Sequence, residues 1–318
     1  MPYALDAQLL QALADMGAAG DAQPQHPARG NWKAIREGDS GLAAVDATKP
    51  EHPSVTRTDH YGGSHDGAKV CMRWYTPSRH DASGSGPAVV FLHGGGMVSG
   101  SVDLFDRSVA GYAADSGVPV LSVGYRLAPE HPHPTPVEDA YAGLVWLTEH
   151  AAQLGVDSAR IALMGESAGG GLAAGAALLA RDRGLPVAKQ ILIHPMLDDR
   201  TTEPDPALVP FVTWNYDNNY TGWHALLGDA VGGPDVPGHA APARASDLSG
   251  VPPAYIEVGE LDIFRDEDVA YARRLAATGT SVELHVHPGC THAFDHVAPQ
   301  ADVAQRARAD RLRALTSF

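Results

Sequence analysis

Apolar and polar positions along this chain follow two periods, and the places where the period changes divide it into elements. Tyr3 to Met16 carries Leu5, Leu9, Leu10 and Leu13 at helical spacing on one face. Gly17 to Gly30, rich in Gly, Ala, Pro and Gln, reads as a mobile connection, and Trp32 to Val45 as a second short helix. From about Val55 the pattern turns to strands. Val70 to Tyr75 predicts an early strand near a sheet edge, and Ser78 to Pro87 a turn region. Ala88 to Leu92 is a continuous apolar run, the mark of a central strand covered on both faces. A helix over Asp103–Ser116, a strand over Pro119–Val123, a helix over Val137–Leu154, a strand over Arg160–Met164, a helix over Ala168–Arg181 and a strand over Gln190–His194 follow in turn.

Asp198 to Ala245 breaks this alternation, placing Phe211, Trp214, Tyr216, Tyr220 and Trp223 among polar, Gly and Pro residues. It reads as an insertion that caps the sheet. The alternation resumes with a strand over Ala254–Val258, a helix over Asp266–Thr278, a strand over Val282–Val286 and a closing helix over Gln300–Leu315. Strands alternating with helices predict an α/β fold with a mostly parallel central sheet, helices on both faces and a helical cap. The organisation expected is residues 1–50 as the N-terminal part of the cap, 51–197 as the first part of the core, 198–245 as the cap insertion and 246–318 as the second part of the core.

Composition narrows the function classes. A net charge of −15, with no basic stripe to offset it, disfavours nucleic acid and anionic membranes as partners. No apolar run approaches the roughly 20 residues needed to span a bilayer. The N-terminus has no charged stretch followed by an apolar core, so no signal peptide is expected. Two cysteines, Cys71 and Cys290, make no disulfide framework and suit a reducing cytoplasm.

Two glycine-rich signatures then carry the chemistry. Gly165-Glu166-Ser167-Ala168-Gly169 lies between an apolar strand and a helix of small residues, the context of a nucleophile elbow, where a sharp turn exposes a serine hydroxyl. His93-Gly94-Gly95-Gly96 ends the central strand, and its glycines let backbone N–H groups approach a developing oxyanion. No Lys-Ser/Thr follows it, which excludes a phosphate-binding P-loop. The expected donors are Gly95, Gly96 and Ala168. A serine needs a base. Of the late histidines 285, 287, 292 and 296, His292 sits in a loop just past a strand, where parallel sheets place active sites. The acid must fall between serine and histidine, and Asp262 follows the strand ending at Val258, with Glu260, Asp266 and Asp268 as competitors. His285, His287, Cys290 and His292 also read as a metal cluster, but the triad already accounts for His292; no metal and no cofactor is expected.

HGGG at 93–96, YRLAPE at 125–130, GESAGG at 165–170, the Asp262 segment and the His292 loop together resemble the bacterial hormone-sensitive-lipase-like carboxylesterases (family IV) of the α/β-hydrolase superfamily. The resemblance covers the core from about residue 55 onward. It implies an α/β-hydrolase fold, the triad Ser167, Asp262 and His292, oxyanion donors Gly95, Gly96 and Ala168, His93 as a support for the glycine loop, Glu166 behind the serine, and dimerisation through the late edge strand. It further implies hydrolysis of short- to medium-chain acyl or aryl esters through an acyl-enzyme. Two departures stand out: Asp262-Ile263-Phe264 replaces the usual Asp-Pro-Leu, and Met97 follows HGGG where an aromatic is common. Met97, Phe211, Trp214 and Tyr216 are the candidates for substrate contact. The same machinery serves amides, carbamates and lactones. Plant gibberellin receptors resemble this family without the catalytic histidine, whereas this chain has both His292 and Asp262.

Overall fold

In a computed structural model of the chain, which describes residues 3–18 and 26–318, eight strands form one sheet in the order β1-β2-β4-β3-β5-β6-β7-β8. The strands are β1 (Val55–Gly63), β2 (Lys69–Pro77), β3 (Gly86–Leu92), β4 (Val120–Gly124), β5 (Val156–Glu166), β6 (Lys189–Ile193), β7 (Ala254–Gly259) and β8 (Val282–His287). β1 pairs antiparallel with β2, and β2 antiparallel with β4; every pairing from β4 to β8 is parallel. The strand predicted from Val70 is therefore next to the edge, with β1 outside it.

The continuous apolar strands are covered on both faces, as such runs require. On β3, Val90 and Leu92 join the core beneath helices α5 (Thr135–His150), α6 (Ala168–Asp182) and α8 (Arg265–Ala277). Val89 and Phe91 point the other way, to α4 (Asp106–Ser116) and α10 (Asp302–Leu315). The strand period of two thus feeds two cores from one sequence.

Four local readings change. Trp32–Val45 is two helices, α2 (Trp32–Glu37) and α3 (Asp39–Thr48), parted at Gly38. The helix expected to run to Leu154 ends at His150 and tightens into a 3-10 turn over Ala151–Leu154, closed by Gly155 at φ 67°. β5 begins at Val156, ahead of Arg160, on a polar, partly exposed stretch that carries no apolar signal. A short helix, α9 (Phe294–Val297), follows the His292 loop. Residues 19–25 of the connection read from Gly17 to Gly30 lie outside the described residues.

The segment 198–245 holds α7 (Tyr216–Leu227) among loops and 3-10 turns. α7 starts at Asn215, whose side chain accepts from the Asn218 N–H. Glu267 of α8 moors the start of this segment, accepting from the backbone N–H of Leu197 at 2.6 Å and Asp198 at 3.0 Å and from the Thr201 hydroxyl. α2 lies against α7, where the Gly30 N–H donates to Thr221 Oγ1 at 2.8 Å. α1 (Ala7–Ala18) packs elsewhere, burying Leu9 with Cys290 and Phe294 beside the His292 loop. Among the described residues, no helix is long and apolar enough to cross a membrane.

Candidate active site

Ser167 stands between β5 and α6 with φ 55° and ψ −120°, a left-handed backbone that costs an L-residue about 1–2 kcal/mol. Its neighbours hold it there: the Ser167 N–H donates to the Ile193 carbonyl at 2.9 Å, and its own carbonyl accepts from Gly171 and Met196. The two signature glycines are steric necessities. A Cβ on Gly165 would lie 2.1 Å from the Gly169 carbonyl oxygen, and one on Gly169 would lie 2.1 Å from that of Leu92.

The Ser167 hydroxyl donates to His292 Nε2 at 3.0 Å, and His292 Nδ1 donates to Asp262 Oδ2 at 2.7 Å. This order follows from the carboxylate, an acceptor only, which fixes the proton on Nδ1 and leaves Nε2 free to accept. Asp262 Oδ1 is engaged by the Phe264 N–H at 3.0 Å. All three side chains are buried. The loops bearing Asp262 and His292 are laced together: Glu260 N–H to the His287 carbonyl, Leu261 N–H to the Cys290 carbonyl, and Gly289 N–H to Glu260 Oε2 at 2.9 Å. Glu260, the other candidate read for the acid, thus supports the His292 loop. Asp266 pairs with Arg265, and Asp268 is buried in α8.

The glycine loop lies opposite. Gly95, Gly96 and Met97 have φ of 123°, 60° and 67°, three successive residues in the region that favours glycine. The Gly95 carbonyl accepts from Val98 and Ser99, and the Met97 carbonyl from Ala128, so the loop's carbonyls at 95 and 97 are tied within the protein. Ala168 opens α6, where first-turn N–H groups have no partner within the helix. His93 is buried between the rings of Tyr125 and Phe105 and donates from Nδ1 to the Gly94 carbonyl. Burial pushes its pKa down to about 4, so it is a neutral prop at neutral pH.

The candidate substrate residues separate in space. Trp214 alone bridges the two halves of the site: its indole lies 2.4 Å from where a Gly96 Cβ would be, and its ring centroid is 6.4 Å from that of His292. Its neighbour Thr213 donates to the His292 carbonyl at 2.8 Å. Met97, at the end of the loop, and Tyr216 are buried in the main core. Among the described residues, Phe211 makes no hydrogen bond or ring contact with Ser167 or His292.

Behind the elbow lies a buried charge cluster that no local pattern announces. Glu166 accepts from Tyr112 and pairs with His296 at 3.2 Å, while Arg311 joins Glu257 and Asp295. Burial works against charge on both Glu166 and His296. The pairing outweighs it, lowering the Glu166 pKa, while the Asp295 charge and Glu166 raise that of His296. His194, also missed, is buried with its ring edge-on to His292 at 4.6 Å. The grouping His285, His287, Cys290 and His292 is not gathered. Among the described residues, the group close enough to share an ion is Glu283, His285 and Asp310, and Arg313 pairs with both of its carboxylates.

A family model described as α/β-hydrolase fold matches residues 89–296. The chain is 40% identical over 276 residues to a carboxylesterase of Mycobacterium tuberculosis, covering 84% of this chain and 83% of that one. It is 34% identical over 296 residues to an ethyl acetate hydrolase of Pseudomonas putida, covering 91% and 90%. Among solved structures, a bacterial heroin esterase superposes with a TM-score of 0.86 at 36% identity, covering 98% of this chain and 97% of that one.

Proposed function

The chain belongs to the α/β-hydrolase-fold family and is a carboxylic ester hydrolase of the hormone-sensitive-lipase-like kind, and from that premise we propose that Ser167 is its nucleophile, His292 its general base and Asp262 the orienting acid. The observation that carries the assignment is the unbroken relay from Asp262 through His292 to Ser167, at 2.7 and 3.0 Å, in a buried site at the carboxyl ends of parallel strands.

In this reading His292 Nε2 takes the Ser167 proton as Oγ bonds to the ester carbonyl carbon. The carbonyl oxygen becomes an oxyanion held by the N–H groups of Gly95, Gly96 and Ala168. Asp262 stabilises the imidazolium without taking its proton. The tetrahedral species collapses, the C–O bond breaks, and His292 gives its proton to the leaving alkoxide. Water then repeats the sequence on the acyl-enzyme, releasing the acid and restoring Ser167.

Trp214, wedged between Gly96 and His292, supports a preference for short- to medium-chain acyl or aryl esters, because the indole fills space that a longer acyl chain would need. The free thiols Cys71 and Cys290 support a cytoplasmic location. Exposed Leu284 and Val286 on edge strand β8 support a homodimer, which light scattering tests. For the triad, Ser167→Ala is expected to abolish hydrolysis of p-nitrophenyl acetate, and an organophosphonate to label Ser167 by mass. Full inactivation with Ser167 unmodified would overturn the assignment.

A further inference from the structure

The glycine loop is backbone under strain. Three successive positive φ values end at Met97, where an L-residue in that region costs about 1–2 kcal/mol. Its nearby ties are two N–H groups on the Gly95 carbonyl, His93 Nδ1 on the Gly94 carbonyl and the Tyr125 hydroxyl on the His93 carbonyl. A further restraint comes from a distant part of the chain. Arg36 of α2 donates through Nε to the Val98 carbonyl at 2.7 Å and through Nη2 to the Ala128 carbonyl at 3.1 Å. The same guanidinium is anchored on both oxygens of Glu130, at 2.7 and 2.9 Å, and lies over the Trp32 ring at 4.6 Å. Ala128 in turn donates to the Met97 carbonyl. One planar group therefore ties Val98, which directly follows the strained residues, to the segment that holds Met97. Asp39, at the start of α3, accepts from the Gly100 N–H at 3.4 Å at the far end of the loop.

The pair with Glu130 is partly exposed, and such pairs add about 0–1 kcal/mol at most to stability. Its geometry matters more than its energy. The fork has fixed angles, so two backbone carbonyls and a carboxylate held at once fix the loop's position in a way that a flexible ammonium cannot. We propose that Arg36 is a positioning residue for the oxyanion loop, so that the N-terminal segment contributes to transition-state stabilisation. The proposal rests on the reading of Gly95 and Gly96 as oxyanion donors.

The test compares wild type with Arg36→Met, Arg36→Lys and Arg29→Met. Arg29 lies on the same segment and touches Tyr220 and Asp217 of α7. Active sites are counted by phosphonate labelling of Ser167, then kcat and KM are measured on p-nitrophenyl acetate. The Ki of an aryl trifluoromethyl ketone is measured alongside, because its adduct with Ser167 carries the oxyanion. For Arg36→Met we expect kcat per labelled site to fall by 10- to 100-fold, KM to stay within about threefold, and Ki to rise by the factor lost from kcat/KM. Arg36→Lys is expected to fall between, and gives the reading alone if the methionine variant does not fold. Arg29→Met is expected to keep the wild-type kcat. An unchanged kcat per site and Ki in both Arg36 variants, beside a labelled wild type, overturns the brace alone. Equal losses in Arg29→Met and Arg36→Met overturn it in favour of general loosening of the segment. A wild type that is not labelled at Ser167 overturns the triad, and the brace with it.

Discussion

Replacing Gly96 with alanine probes the contact between Trp214 and the glycine loop. The added Cβ would lie 2.4 Å from the Trp214 ring, where carbon atoms prefer about 3.5–4.0 Å, so the indole or the loop must retreat by about 1.1–1.6 Å. A displacement of about 1 Å at a reacting centre costs on the order of 100-fold. Gly96 also has φ 60°, which adds roughly 1–2 kcal/mol for an L-residue. Together these set an expected fall in kcat/KM of about 500- to 3,000-fold for Gly96→Ala. The two contributions separate in a double-mutant cycle. In a Trp214→Ala background the clash is gone and only the backbone cost remains, so Gly96→Ala should there cost about 5- to 30-fold. The assay is p-nitrophenyl acetate hydrolysis by all four proteins, corrected for the sites labelled by phosphonate. If Gly96→Ala costs the same with and without the indole, Trp214 does not press on the loop and the reasoning fails.

Three further outcomes are expected. Asp262→Asn should keep the fold but lower kcat by about 10,000-fold, since the amide no longer fixes the Nδ1–H tautomer of His292; a loss below tenfold in pre-steady-state kinetics would refute that role. The Glu166–His296 pair should support the fold most between pH 4.5 and 6.5, the ordinary values of the two groups. Its contribution is lost as pH falls through the lowered pKa of Glu166, or rises through the raised pKa of His296, so His296→Asn should flatten the alkaline fall of Tm in calorimetry. Gly169→Ala should give no folded protein by circular dichroism, because its Cβ would meet backbone on two sides, 2.1 Å from the Leu92 oxygen and 2.4 Å from that of His93.

The chain discloses its sheet more readily than its supports. Ala88–Leu92 and the run from Gln190 are apolar because both faces of the sheet are covered, so strand and central position are read together. Ser167, Asp262 and His292 could be singled out because each follows a strand, in the chain order of the α/β-hydrolase fold, and they lie within hydrogen-bonding reach of one another. The early start of β5 escaped because Asp157, Ser158 and Arg160 project past the covered part of the sheet and need no apolar side chain. Arg36 and Glu130 are 94 residues apart, and Arg311 and Glu257 are 54 apart; ion pairs over such separations leave no periodic trace. The split of Trp32–Val45 was hidden for the opposite reason, since Gly38 breaks a pattern whose residues are otherwise consistent with one helix.

The packing of α1 on the base loop bears on how the molecule comes into being. Asp6 donates to the Gly289 carbonyl at 2.9 Å, and Leu9 closes the apolar cluster around Cys290 and Phe294. The first described helix is thus made early by the ribosome and waits for a partner nearly three hundred residues downstream. The elbow, the glycine loop and the Ile193–Met196 stretch that holds Ser167 lie within residues 86–196 and can be built from the nascent chain well before that. On the proposed assignment, a ribosome-bound fragment ending there would have its serine and its glycine loop but no base. On that assignment the order of synthesis keeps Ser167 inert until the strand before His292 has docked and α1 has met the His292 loop.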